Sequence, residues 1–95
     1  MFIFVKEGQE AVFQEFEELA LPLLEDYNGK LIYRLRPSSE AFVSNEDKQP
    51  YEIHFLSFES EKDFLDFGRD ERRTAFMHLR NQSIDSVFMT KGIKI

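Results

Sequence analysis

The stretch Pro50–Ser60 constrains the fold more than any other part of the chain. It reads Pro-Tyr-Glu-Ile-His-Phe-Leu-Ser-Phe-Glu-Ser. Side chains of a β-strand alternate between two faces. One face would carry Tyr51, Ile53, Phe55 and Ser57, and the other would carry Glu52, His54, Leu56 and Phe58. Both faces hold large apolar groups, whereas a strand with one face in water alternates between apolar and polar residues. We therefore expect a strand with both faces covered.

A helix should begin directly after this strand. The hydroxyl of Ser60 can accept a hydrogen bond from the first free amides of a helix. Asp63 stands three positions later, where the acid of a capping box belongs. The pair predicts a helix start at Ser60.

Composition limits the classes to which the protein can belong. The chain has 95 residues, 42% of them hydrophobic, and we expect one domain over residues 1–95. It has no Cys, which excludes disulfides and thiolate metal sites. A formal net charge of −6 disfavours nucleic acid, because phosphates would be repelled. No apolar run approaches the roughly 20 residues that span a bilayer, and the first residues lack the features of a signal peptide. We expect a cytoplasmic protein with no nucleic-acid or membrane partner.

The first half of the chain contains a strand and a long helix. Phe2–Val5 is a continuous apolar run and predicts a second buried strand. From Gln9 to Tyr27 the apolar residues recur at helical spacing. Pro22 lacks an amide hydrogen, so we expect a kink there, and Asn28-Gly29 predicts a left-handed cap at the helix end. The acidic residues of this helix are expected to form a solvated face. They are Glu10, Glu15, Glu17, Glu18, Glu25 and Asp26.

The second half supplies the remaining elements. Alternation over Lys30–Arg36 predicts a strand near the sheet edge. Its one side would carry Leu31, Tyr33 and Leu35, and its other side Ile32, Arg34 and Arg36. Pro37–Pro50 is polar and is expected to form a long hairpin loop. Asp70 can cap a second helical segment that ends near Asn81. We expect a turn at Gln82–Asp85 and a last strand over Ser86–Ile95, with a bulge at Gly92.

The order of these elements predicts the architecture. Strand, helix, strand, strand, helix, strand is the ferredoxin-like βαββαβ order, an α+β fold with a four-stranded antiparallel sheet. Its first and third strands lie in the centre, and those are the two strands here with apolar groups on both faces. Two helices cover only one face of such a sheet. We therefore expect a second copy to cover the other face, sheet against sheet, around a two-fold axis.

At this level the chain resembles the dimeric α/β-barrel superfamily of ferredoxin-like domains. It is most similar to a small branch of uncharacterised domains related to antibiotic-biosynthesis-monooxygenase-like proteins. The resemblance rests on Pro22-Leu23-Leu24, Tyr27-Asn28-Gly29, the strand Glu52 to Phe58, the Phe58-x-Ser60-x-x-x-Phe64 cap and the Asp70-x-x-Arg73 pair. It implies a homodimer with a cleft between sheet and helices. Family members include metal-independent oxygenases, isomerase-like and dehalogenase-like enzymes, haem degraders and proteins of no known activity, so the fold does not choose a reaction.

Three residues of the central hairpin are candidates for a site. His54 lies mid-strand in an apolar setting, where a pKa can shift toward catalytic use. Glu52 shares its face, and Arg34 lies on the strand expected to pair with it. One interpretation is a structural histidine beside a cross-strand Glu–Arg pair. The other is an acid, a base and a cation that line one cleft.

Two further residues extend this hypothesis. Tyr33 can donate its phenol to a bound carbonyl, although a tyrosine here also suits an amphipathic core position. Arg73 belongs to an arginine-rich region that can receive an anion, or can pair with acids of its own helix. With no metal-binding motif and only two histidines, we expect no metal and no cofactor.

The sequence leads to two hypotheses of function. In the first, the homodimer binds a small aromatic or anionic molecule and is a metal-independent oxygenase or an isomerase-like enzyme. His54 and Tyr33 would then be catalytic, and Arg34, Glu52 and Arg73 would bind the ligand. In the second, the protein is a binding or structural module of the same fold without turnover.

Overall fold

A computed structural model describes residues 1–43 and 48–95 of the chain. Its strands are β1 (Phe2–Val5), β2 (Gly29–Leu35), β3 (Glu52–Phe58) and β4 (Ile84–Phe88). Its α-helices are α1 (Glu10–Ala20), α2 (Glu61–Gly68), α3 (Glu71–Thr74) and α4 (Met77–Ser83). Two 3-10 helices occupy Leu21–Tyr27 and Ser39–Ala41. The second of these lies in the segment predicted as a loop, of which residues 44–47 fall outside the described part.

The strands form one four-stranded sheet in the order β2-β3-β1-β4. Every neighbouring pair is antiparallel. The predicted fold class is therefore confirmed: the protein is α+β, and its strand order is consistent with a ferredoxin-like fold, with β1 and β3 in the centre.

The helices cover one face of the sheet and build the core there. Phe16 of α1 packs edge-on against Phe76, with ring centroids 5.9 Å apart. The core residues on this side are Ile3, Phe13, Phe16, Ala20, Leu24, Phe76 and Leu79. We refer to this side of the sheet as the helix face.

The opposite side, which we call the open face, carries apolar side chains that no described element covers. Tyr33 is 63% exposed, Phe55 54%, Phe88 59% and Leu35 46%. Two aromatic pairs lie across its strands. The rings of Tyr33 and Phe55 are 6.1 Å apart, and those of Phe2 and Phe88 are 5.8 Å apart. The expectation that both strand faces are covered is thus met only on the helix face within one chain.

A bulge in β2 makes its side chains alternate differently from the pattern predicted for that strand. Leu31 lies opposite Leu56 and Tyr33 lies opposite Phe55, so the register shifts by one residue at Ile32. Because Leu56 and Phe55 point to opposite faces of β3, Leu31 lies on the helix face and Tyr33 on the open face. The sequence pattern had placed them on the same side.

The first helical region also differs from its prediction at Pro22. The α-helix ends at Ala20, and a 3-10 helix with Pro in its first turn continues to Tyr27. The backbone stays helical across the junction because Leu21 keeps right-handed angles (φ −60°, ψ −38°). The helix thus changes type next to Pro22, and a proline in the first turn of the new helix leaves no backbone hydrogen bond unmade.

The end of this region confirms the predicted left-handed cap, at Asn28 (φ 54°). Gly29 has a different reason to be glycine. A Cβ there would lie 2.8 Å from a ring carbon of Phe58 and 3.0 Å from the carbonyl oxygen of Leu24. β2 approaches the 3-10 helix so closely at this position that a side chain does not fit.

Both predicted caps of the second helical region are present. Ser60 Oγ accepts from the Asp63 amide at 3.1 Å, and Asp70 Oδ1 accepts from the Arg72 amide at 2.7 Å. The segment after Asp70 is not one helix, however. It breaks at Phe76 (φ −122°, ψ 15°), whose ring turns into the core.

The end of the chain corrects two predictions. No turn separates the last helix from the last strand, because α4 ends at Ser83 and β4 begins at Ile84. The strand then ends at Phe88 and does not reach Ile95, so Gly92 forms no bulge in it. Phe88 pairs with Phe2, the first residue of β1, and later residues therefore have no strand beside them.

In the described ranges, no helix is long and apolar enough to cross a membrane.

Candidate functional site

The buried carboxylate of Glu52 is the centre of a polar cluster on the helix face. It is 1% exposed and lies at the start of β3. Its Oε1 accepts from Arg34 Nε and lies 2.6 Å from His54 Nε2, and its Oε2 accepts from Arg36 at 3.0 Å. Burial raises the pKa of Glu52, but the hydrogen bonds from Arg34, His54 and Arg36 outweigh it and hold the pKa below its usual value. Glu52 is therefore an anion at neutral pH.

The anionic Glu52 determines which nitrogen of His54 carries the proton. Nε2 must donate to the carboxylate, so Nδ1 of the neutral ring has a free lone pair. Burial lowers the pKa of His54, and the bond to Glu52 opposes this only in part, so the ring is neutral at pH 7. No group in the described residues forms a hydrogen bond with Nδ1, although this atom is buried. His54 therefore presents an unpartnered, buried base.

Glu17 lies beside this base and is the site residue that the sequence reasoning missed. It was assigned to a solvated acidic face, yet it is 4% exposed. Its Oε2 lies 4.0 Å from His54 Nδ1, beyond hydrogen-bond distance. Burial and then repulsion by Glu52 raise the pKa of Glu17 to about 7, against the attraction of Arg34 and Arg73. The spacing of Glu17 along the helix could have indicated its burial. Glu17 is four residues after Phe13 and three before Ala20, on the buried stripe of α1.

A cavity of about 230 Å³ lies between the helix face and the helices. Four polar residues line it: His54, Glu17, Arg73 of α3 and Arg80 of α4. The remaining wall is largely apolar, formed by residues such as Ile3, Phe16, Ala20, Leu24, Leu56 and Val87. An apolar cavity with a few convergent polar groups is the usual form of a small-molecule site.

The cavity has a route to solvent. A larger open groove of about 800 Å³ lies between the end of β3 and the segment Met89–Lys94. Met1, His54, Leu56 and Met89 line both spaces, so the cavity adjoins the groove. Burial lowers the pKa of the amine of Met1, which donates to the carbonyl oxygen of His54 at 2.7 Å.

The two arginines of the cavity wall carry more positive charge than its one carboxyl can balance. Arg73 stacks on Phe67, with its guanidinium carbon 4.6 Å from the ring centroid. Burial, and then repulsion by Arg80, lower the pKa of Arg73, but a guanidinium stays charged at neutral pH. Two arginines thus face one titratable carboxyl, so this cavity favours anions in a protein whose formal net charge is −6.

The structure separates the five residues proposed from the sequence. It brings His54 and Arg73 to the cavity wall. Glu52 and Arg34 lie behind His54, where they bind each other and hold the ring, and neither lines the cavity. Tyr33 lies on the open face against Phe55, on the other side of the sheet from His54. A cross-strand Glu–Arg pair is therefore present, and Nε2 of His54 contacts its carboxylate, as the structural interpretation predicts. His54 also belongs to a cavity wall, as the other interpretation requires.

The described residues offer no obvious place for a metal. No group of three or more His, Asp or Glu side chains in residues 1–43 and 48–95 is arranged to hold one. Comparison of the chain with models of protein families, with curated proteins and with solved structures returned no match. The likeness to dimeric α/β barrels therefore stays an expectation from the sequence.

Proposed function

We propose that this protein binds a small organic anion with an apolar body in the cavity between sheet and helices, and that His54 exchanges a proton with it. The observation that carries the proposal is the buried lone pair of His54 Nδ1, which has no partner in the described chain and belongs to a residue of the cavity wall. Buried polar groups are nearly always paired, and an exception at a cavity wall suits a ligand that supplies the missing bond.

The size and charge of the cavity define the ligand class. A volume of about 230 Å³ corresponds to roughly eight water-sized groups, which suits one ring with a carboxylate. Arg73 and Arg80 favour the carboxylate, and the apolar wall favours the ring or chain that carries it. Benzoate has this size and these two parts, so it is a suitable probe.

Proton transfer next to a carbonyl is the reaction that the site supports best. Nδ1 of His54 is a neutral base, and Glu17 is a carboxyl with a pKa of about 7 that can return a proton. An isomerisation needs only such a base and acid. A metal-independent oxygenase would use the same base but would also need dioxygen and a substrate that reacts with it. The isomerase-like activity is therefore the simpler proposal.

The test begins with binding. Saturation-transfer NMR with a panel of small aromatic and aliphatic carboxylates should show transfer from the protein to at least one member. His54→Gln should weaken the binding of those carboxylates that also carry an O–H or N–H donor at least fivefold, because this donor loses its Nδ1 acceptor. The matched control is His78→Gln, since His78 is the other histidine and is exposed. If no carboxylate shows transfer, or if His54→Gln binds as the wild type does, the proposed role of His54 is wrong.

Turnover separates the enzyme from a binding module. Carboxylates that bind and carry an acidic C–H bond should exchange that hydrogen for deuterium in D2O faster with the protein than without it. His54→Gln should abolish the acceleration and His78→Gln should retain it. Binding without accelerated exchange would favour the non-catalytic alternative.

We also propose that a second copy covers the open face. The exposed aromatic and aliphatic groups there lie on adjacent strands, and burying them removes apolar surface from water. Native mass spectrometry of the gently purified protein should give twice the monomer mass. Phe55→Lys should give a monomer, whereas Leu65→Lys, at an apolar residue of α2 that is 43% exposed, should leave the dimer intact. A monomeric wild type would refute this arrangement.

A further inference from the structure

We propose that the cavity takes up its anion together with one proton, and that Glu17 carries that proton. The inference rests on the proposed function, because it concerns how the same cavity binds its ligand. It adds a regulation of that site: the affinity for the anion is controlled by pH near neutrality.

The geometry places Glu17 where an anion must approach it. Glu17 and His54 lie side by side on the wall, with 4.0 Å between Oε2 and Nδ1. Because Glu17 is part of the cavity wall, an anion bound in this cavity lies close to its carboxyl. Two negative charges at such a distance in a buried site repel strongly, whereas a protonated carboxyl can donate a hydrogen bond to the anion. Occupation of the cavity should thus select the protonated form of Glu17.

The charged groups around Glu17 leave it as the proton carrier. They are Glu52 and His54 on β3, Arg34 on β2, Arg73 on α3, Arg80 on α4 and the amine of Met1. Glu52 is saturated by Arg34, Arg36 and His54, so it does not take up a proton near neutral pH. The arginines stay cationic. Only Glu17, His54 and the Met1 amine can then change charge in this range.

The pH range over which the affinity should change follows from the pKa of Glu17. With a pKa of about 7, the carboxyl of the empty cavity is mostly protonated at pH 6.5 and mostly ionised at pH 8.5. If the anion binds only the protonated form, its dissociation constant rises roughly 25-fold between these two pH values, because the protonated fraction falls by that factor. Proton uptake on binding rises toward one proton at the higher pH.

Isothermal titration calorimetry with benzoate tests the inference. Titrations at pH 6.5, 7.5 and 8.5, each in two buffers of different ionisation enthalpy, give both the affinity and the number of protons taken up. The wild type should lose affinity roughly 25-fold across this range. Glu17→Gln should bind with a nearly constant affinity and without proton uptake. Glu15→Gln removes the same charge from an exposed position of α1 and should behave as the wild type.

The outcomes distinguish this inference from the proposed function. Benzoate binding to the wild type without proton uptake at pH 8.5 would overturn the inference and leave the anion site standing. Uptake that persists in Glu17→Gln would assign the proton to His54 or the Met1 amine and would also overturn it. If benzoate binds none of the variants, the anion site itself fails, and the inference fails with it.

Discussion

Replacing Glu52 with Gln is the sharpest test of how the site is held together. The variant keeps the shape of the side chain but removes the charge that three donors share. Its amide oxygen can accept two of the three bonds, as Oε1 does now, and its N–H₂ group must then face the remaining donor. A hydrogen bond to a buried charge contributes about 1.5–3 kcal/mol. The contributions of Arg34 and Arg36 are smaller, because their side chains are 29% and 51% exposed and can be solvated instead.

The bond from His54 suffers most, since both of its partners are buried. We therefore expect Glu52→Gln to lower the free energy of unfolding by about 3 kcal/mol at pH 7. Urea unfolding followed by circular dichroism, at one fixed protein concentration, measures this loss as a lower transition midpoint at an unchanged slope. Glu59→Gln, at an exposed position just after the same strand, should change stability by less than about 0.5 kcal/mol.

A small effect of Glu52→Gln would refute this reasoning. If the loss is below about 1 kcal/mol, the cluster is not a set of desolvated charge-assisted bonds. A cycle with His54→Gln then locates the error, because the two losses should be strongly non-additive if Nε2 donates to Glu52.

The remaining predictions concern pH and packing. Glu17 has an ordinary pKa of 4.5 and a folded pKa of about 7, so the folded state binds more protons between these values, and stability falls as pH rises from 4.5 to 7. The loss is about 3 kcal/mol, and urea unfolding at pH 5 and 8 should show that Glu17→Gln removes it; an unchanged pH dependence would contradict the burial of this carboxyl. Gly29→Ala should cost about 2 kcal/mol in a thermal melt, because the new Cβ meets Phe58 at 2.8 Å. Gly68→Ala has open space around its Cβ and should be neutral or stabilising by about 0.5–1 kcal/mol; equal effects of the two changes would contradict the close approach at Gly29.

Element order, caps and sheet topology could be predicted from the sequence because each depends on local chemistry. Ser60 and Asp70 cap helices whatever surrounds them, and two doubly apolar strands indicated the centre of the sheet. The length of β4 could not be predicted in this way. The alternation of apolar residues continues to Ile95, but the strand ends where β1 offers no further partner.

The site was predictable only in part, for a related reason. His54 and Arg73 stood out by residue type and reach the cavity. The position of Tyr33 depends on a bulge at Ile32, and hairpin register is not encoded in the pattern of one strand. Glu17 was not predicted because its charge was given more weight than its spacing along the helix. That spacing places it on the buried stripe of α1.

The strand order also has a consequence for biosynthesis. β1 is made first, yet it lies between β3 and β4, and Phe2 pairs with Phe88. The sheet therefore cannot close until β4 has left the ribosome. Until then the hairpin of β2 and β3 can form by itself, while Phe2–Val5 remains an apolar segment without its neighbours. Long-range pairing of this kind slows folding and exposes strand edges, so we expect the nascent chain to be a client for chaperones that hold short apolar segments.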